Sequence, residues 1–355
     1  VLAGTLLVAL VLLAWLAWPA LASVLFPQPQ SYYPEGRISF VRRTGTDRSD
    51  LYIVNPDGTH QERATTDIPI EGVNTWSPDG RRILVQASVG GTSTVVRLDI
   101  GADNKASNAV QLTADARGDS AFPSWSPDGS LIAFQSKRDG ADYQLFVMDP
   151  DGNNKHRLTD GKGYAGQPSW SPDGKTIAYV QGEKADAGTP KEIYLVPKAG
   201  GTPTKLTSLG KDLGRPLWSP AGGQIIFAQS VGDRNRAIYS IDPQGKTEPK
   251  LLVDQGFNSG AAFSRDGKTI VYYSITTGSD ILTVPAAGGP ITNLTHLTPE
   301  DYQPAWSPDG RNLTWAGRRT DSFRIIVANA DGSNPHEISS GDGSDTQPSW
   351  GAPVK

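Results

Sequence analysis

A variant of Trp-Ser-Pro-Asp-Gly occurs seven times in this chain, at intervals of 43 to 49 residues. Trp76, Trp125, Trp170, Trp218 and Trp306 head five copies, Phe263 replaces the indole in a sixth, and Trp350 begins a truncated seventh. A fixed period of this length marks stacked supersecondary units, none of which can bury its apolar face alone. The stretch from Gln167 to Thr207 shows the grammar of one unit. Pro168-Ser169-Trp170 is a short extended piece that enters the turn Ser171-Pro172-Asp173-Gly174. Proline presets φ there, Asp bonds to nearby backbone, and Gly takes the positive φ that closes the hairpin. Thr176-Ile177-Ala178-Tyr179-Val180 and Ile193-Tyr194-Leu195-Val196 have the β-branched and aromatic content of strands, and Gly200-Gly201 turns the chain into Lys205-Leu206-Thr207. The pattern predicts a four-stranded antiparallel meander, which repeated radially is a β-propeller blade.

The other copies obey the same grammar. Second strands are predicted at Ile132-Ala133-Phe134, Ile225-Ile226-Phe227 and Ile270-Val271-Tyr272, and third strands at Leu145-Phe146-Val147-Met148 and Ile238-Tyr239-Ser240-Ile241. Fourth strands are predicted at Gln111-Leu112-Thr113, Arg157-Leu158-Thr159 and Glu337-Ile338-Ser339. The seven Trp-type side chains are expected between adjacent blades, where a large apolar ring finds a second wall. The first unit enters at a second strand, Arg37 to Val41, and the chain closes on a lone first strand, Gln347-Pro348-Ser349-Trp350. Together the two ends complete one blade. Closure of this kind hides the sheet edges, which otherwise invite aggregation. The expected fold is therefore all-β: a seven-bladed propeller over residues 37–355, closed by its N- and C-terminal strands.

These residues resemble the TolB-type propeller repeat, the PD40 or WD40-like group, over roughly residues 37 to 351. The resemblance implies the fold and no particular activity, since related repeats also occur in tricorn-type and prolyl-oligopeptidase-like proteins. The family's namesake pairs a six-bladed ring with a preceding α/β domain, which differs from the seven units here. Two copies, Leu217-Trp218-Ser219-Pro220-Ala221-Gly222 and Phe263-Ser264-Arg265-Asp266-Gly267, are degenerate, and their blades are expected to pack differently.

Val1 to Phe26 contains no charged residue. As a helix it would span about 39 Å at 1.5 Å per residue, against a hydrocarbon core of roughly 30 Å. Trp15 and Trp18 suit the membrane interface. Ala20-Leu21-Ala22 also fits a signal-peptide cleavage site, but the apolar run exceeds the usual length of such segments. A retained transmembrane helix over 1–26 is expected, followed by a Pro-rich linker over 27–36, with the propeller on the periplasmic or extracytoplasmic side and the bilayer as one partner. No cysteine is present, which excludes disulfides and cysteine-linked lipid.

A net charge of −4 argues against a nucleic-acid partner, which needs a basic footprint. The 39 Gly and 27 Pro are what many short strands and turns require. Loops joining one blade to the next ring one mouth of a propeller channel, and these loops are rich in acids, among them Asp115, Asp119, Asp212, Glu300, Asp301 and Asp345, set against Arg117, Lys162, Lys211 and Arg215. Such a ring would attract cations or basic partners. Asp115, Arg117, Asp119, Arg215, Glu300 and Asp301 are the candidate partner-binding residues; the competing reading is solvated turn residues. His60, His156, His296 and His336 fall singly in different blades. No Gly-x-Ser-x-Gly elbow, phosphate loop or His-Glu-x-x-His occurs, and Asp149-Pro150-Asp151-Gly152-Asn153 lacks the later Glu of a calcium loop. The chain is expected to lack catalytic, cofactor and metal sites and to serve as an accessory or scaffold subunit of a membrane or envelope complex. The alternatives are a sensor or peptide-binding protein using the acidic mouth, and an enzyme built from scattered channel residues.

Overall fold

The middle strands of each repeat are apolar on both sides, and each blade accordingly has two faces to cover. Ile132–Ser136 and Gln144–Met148, for example, are buried along their whole length. The computed structural model describes residues 35–354, apart from 46–47, 66–67, 115–117, 233, 277 and 297–299. Among the described residues there are 28 strands and no helix, and the strands form an all-β propeller of four-stranded antiparallel sheets. The expected anchor over 1–26, with Trp15 and Trp18, and most of the 27–36 linker lie outside the described residues. Among those described, no helix is long and apolar enough to cross a membrane.

Numbered from the blade shared by the two ends, the innermost strands are Ser344–Gly351, Ile70–Trp76, Ser120–Trp125, Tyr164–Trp170, Leu217–Trp218, Phe257–Phe263 and Asp301–Trp306. Each heads a set of four, giving seven sets among the described residues. Sets five and six are joined into one sheet by a single parallel pairing, Arg236 with Phe257. The terminal strands pair antiparallel, Ile38 opposite Trp350 and Arg42 opposite Asp345. No blade has a core of its own. The seven apolar clusters each lie between neighbours: Leu51 and Ile53 meet Trp76 and Val85, and Ala133 and Val147 meet Trp170 and Tyr179. The last of them puts Ala316 and Val327 against Phe40 and Trp350, which closes the ring.

The repeated aromatic residues sit in these interblade clusters. Trp76, Trp125, Trp170 and Trp350 are buried, whereas Trp218, Phe263 and Trp306 are half-buried. Several also link blades by hydrogen bonds. The indole N–H of Trp170 donates to the Ser124 carbonyl (3.1 Å), and that of Trp306 to Ala262 (3.2 Å). Trp76 reaches the Ser349 carbonyl at 3.1 Å, from the second blade to the C-terminal strand of the shared one.

The Ser-Pro-Asp-Gly turns share one bonding scheme. The Ser126 hydroxyl and the Ser130 N–H both donate to Asp128 Oδ1, while the Leu131 N–H donates to Ser126 Oγ. The same scheme recurs at Asp79, Asp173, Asp266 and Asp309; at the fifth copy Ala221 supplies no carboxylate. These donors hold Asp128 down at about 2 and depress Asp173 and Asp266. At Asp79 burial pushes upward, but the Ser77 hydroxyl and Arg81 N–H outweigh it and lower the value. An unfolded Asp titrates near about 3.9. The stabilisation is therefore complete above that value and is lost as pH falls toward the lower values of the folded state. Each turn is solvated and contributes little singly. Melting curves are expected to drop on the order of 5 °C between about pH 4 and pH 2, and Asp→Asn at Asp79, Asp128, Asp173 and Asp266 together should flatten that limb.

The fourth strands are shorter than their composition suggests. Most have two residues, as in His156–Arg157 and Thr204–Lys205. Thr159 and Thr207, read above as strand, lie just beyond. Their hydroxyls accept from the N–H groups of Leu145 (3.0 Å) and Ile193 (2.9 Å), taking the place of a backbone partner. Thr113 and Ser339 do the same for Val95 and Ile325.

Candidate functional site

The inner strands contain a repeated irregularity that shapes the channel. Gln167, Gln303 and Gln347, with Phe122, have φ of 57°, 56°, 54° and 51°, and each precedes a proline. Left-handed backbone costs roughly 1–2 kcal/mol for a residue with a side chain, so something must hold these bulges. Side-chain amides hold two of them: Gln135 Oε1 accepts from the Gln167 N–H (3.1 Å) and the Tyr164 hydroxyl (3.0 Å). Gln303 Oε1 accepts from the Gln347 N–H (2.8 Å), and Asn74 Nδ2 donates to the Gln347 carbonyl (2.8 Å). The recurring Gln-Pro before Ser-Trp or Ala-Trp was the visible sign of this feature, and sequence reasoning passed over it.

The fifth blade breaks the pattern. Its inner strand is cut to Leu217–Trp218, where the others have six to eight residues. Pro216 has no N–H to give to the ladder. The preceding segment leaves the sheet, its backbone joined to the neighbouring strands by isolated pairings of Lys211 with Lys191 and Leu213 with Gln229. The gap is a cavity of about 610 Å³ lined from five blades, including Phe122, Gln167, Leu217, Gly260 and Pro304. Its charged lining is Lys191, Arg215, Arg236 and Asp212. Lys191 Nζ bonds Asp212 Oδ1 at 2.9 Å, and Arg236 approaches Oδ2 at 3.6 Å. Burial pushes Asp212 upward, but the Lys191 and Gly188 hydrogen bonds outweigh it and keep the carboxyl below its ordinary value.

The candidate mouth residues are dispersed. Arg215 lines the cavity. Asp119 accepts from the Ser93 N–H (3.1 Å) and lies near the Tyr143 hydroxyl; burial, then the Asp119 charge, pushes that phenol up to about 12. Glu300 pairs with Arg318 at 2.9 Å. Asp301 is fully buried and accepts from the Trp315 indole at 2.8 Å. Asp345 is also fully buried, against Arg42. Asp115 and Arg117 lie outside the described residues. The acids that are described are thus largely engaged by protein donors.

His60, His156, His296 and His336 are exposed and separate. Among the described residues no group of three His, Cys, Asp or Glu could hold a metal ion. In the turn at Asp149, Asp151 is taken by Arg97 at 2.5 Å and Asp149 by Asn154 at 2.6 Å.

A family profile described as "TolB beta propeller domain" matches residues 100–236 and 141–353. An uncharacterized protein of Agrobacterium fabrum is 28% identical over 241 residues, covering 64% of this chain and 80% of that protein. Among solved structures, TolB from Acinetobacter baumannii superposes with a TM-score of 0.56 at 20% identity, over 89% of this chain and 82% of that one. A puromycin-hydrolyzing peptidase of Mycobacterium tuberculosis superposes with a TM-score of 0.65 at 15% identity, over 86% of this chain but 53% of the peptidase. At such identities the structural likenesses speak for the fold alone.

Proposed function

The chain belongs to the TolB β-propeller family, and from that premise we propose that it is a non-catalytic docking propeller. It serves as an accessory subunit of a membrane or envelope protein complex and receives an extended part of its partner in the central channel. The observation that carries this reading is the cavity opened by the two-residue inner strand of the fifth blade. Its volume falls in the range of roughly 300–1,000 Å³ typical of ligand sites, and its apolar walls carry a few fixed polar groups. Those groups are chiefly guanidinium, ammonium and amide, donors suited to holding a partner's oxygen atoms. The apolar segment at 1–26 supports attachment to the membrane. A rigid ring presenting loops and a pocket suits holding a partner rather than transforming one.

The test fills the cavity without disturbing the fold. Gly214 lines it, has ordinary φ, and the nearest atoms to a Cβ there, on Ala228 and Arg236, would lie at 3.6–3.7 Å, ordinary contact. Gly214→Phe is expected to melt within about 3 °C of the parent. It should lose at least tenfold of the partner that co-purifies with the full chain from native membranes in mild detergent. An unchanged complex, with the variant folded, would rule out docking through the channel.

A further inference from the structure

Building on that docking reading, we propose that the cavity is a carboxylate site anchored by Arg215 and that its occupant is the C-terminal end of a peptide. Three cations line the cavity against one carboxylate, and that carboxylate is already committed. Asp212 Oδ1 takes Lys191 at 2.9 Å, while Oδ2 accepts from the Gly188 N–H (2.9 Å) and the Ser230 hydroxyl (3.3 Å) with Arg236 nearby. Lys191 is further held by the carbonyls of Asp186 and Thr189.

Arg215 is different. Its Nη2 donates to the Pro168 carbonyl at 3.0 Å, and among the described residues its buried Nε meets no acceptor and no carboxylate forms an ion pair with it. Burial lowers its pKa to about 10, so the side chain still carries its charge at neutral pH. Arg215 is half-buried, and a charge partly withdrawn from water without a counter-charge opposes folding. A planar guanidinium with free donors matches a carboxylate in a two-pronged pairing. A bound anion therefore supplies what the fold leaves out.

The remaining lining narrows the anion to a peptide end. Leu213, Leu217, Ile226, Phe227, Ile238 and Pro304 form apolar walls suited to a terminal apolar side chain. Asn258 lines the same cavity and is fully buried. Its Nδ2 donates to the Arg236 (2.6 Å) and Gln255 (2.8 Å) carbonyls, which fixes the amide's orientation, and its Oδ1 has no donor. A peptide N–H can satisfy that oxygen; a simple organic acid cannot.

The experiment uses three probes with the intact chain: a pool of N-acetylated tripeptides ending in Leu or Phe with free carboxylates, the same pool as C-terminal amides, and succinate. The free-acid pool is expected to raise the melting temperature and to bind at least tenfold more tightly than the amides. Arg215→Gln should erase that preference while melting no lower than the parent without ligand, because an uncompensated charge has been removed. A merely structural arginine would instead lower the melting point. If Arg215→Gln fails to fold, Arg215→Lys keeps the charge, loses the fork and should still lose about tenfold of the preference. Equal binding of acids and amides, or no effect of the acids, overturns the carboxylate site. A response to succinate alone overturns the peptide occupant. Partner loss in Gly214→Phe but not in Arg215→Gln sinks this assignment and leaves the docking reading standing; retention by both sinks the docking reading itself.

Discussion

A chain ending at Gly343 is expected to show no cooperative unfolding transition. The deleted Ser344–Gly351 is the innermost strand of the blade that both ends of the chain build. Its loss strips Ile38, Phe40, Val327 and Ile338 of Trp350, which lies among them. Removing a buried Trp side chain alone costs about 3–5 kcal/mol. The second blade suffers too. Trp76 packs so closely on Gly351 that a Cβ there would sit 2.4 Å from the ring, and its indole loses the Ser349 carbonyl. The edge of Arg37–Thr44 then lies unpaired, a template for aggregation. Against a total stability of about 5–15 kcal/mol these losses leave no folded state. Circular dichroism and urea titration of the truncated chain provide the measurement. A sigmoidal melt within a few degrees of the full chain would mean that the ring does not depend on this closure.

Strand order, blade number and the terminal pairing could be read in the sequence because each depends on a local signal repeated at one period. Variants of Trp-Ser-Pro-Asp-Gly mark six junctions of first and second strand, and Ile38 and Trp350 bracket the array as the halves of one unit. What escaped notice depends on competition between distant residues. Thr159 and Thr207 have strand composition, and only the third strand's unpaired N–H turns their hydroxyls into acceptors. The bulges at Gln167, Gln303 and Gln347 oppose local preference, since a residue before proline favours extended backbone. Gln135 holds the first of them from another blade. Composition showed acids in the interblade loops but not their partners. Arg42 lies 303 residues from Asp345, and Arg318 lies 18 from Glu300. The degenerate fifth copy was visible at Ala221. The cavity before Leu217 was not visible there, because its lining comes from five blades and one of its ion pairs, Lys191 with Asp212, joins residues 21 apart.

Asp345→Ala is expected to cost about 3–5 kcal/mol, the second largest effect, because it breaks a buried ion pair from one side only. Arg42 and Asp345 face each other across the closing strands, 4% and 0% exposed, with Nε–Oδ1 at 2.6 Å and Nη2–Oδ2 at 2.8 Å. Burial pulls the Arg42 guanidinium down, but the hydrogen bond and charge of Asp345 outweigh it and leave its pKa raised. Without the carboxylate, the guanidinium keeps its contacts with Tyr52, over whose ring it stacks at 4.5 Å, and with Phe40 at 5.4 Å. Those contacts are worth about 0.5–2 kcal/mol and cannot replace a counter-ion. The double variant Arg42→Met with Asp345→Leu removes both charges and should recover most of the loss, since apolar substitutes for a buried pair are often neutral. A double-mutant cycle in urea would then give a coupling of about 2–3 kcal/mol. A single variant as stable as the parent, or a double variant no better than the single, would show that the two ends of the chain are held by strand pairing and Trp350 without help from this charge pair.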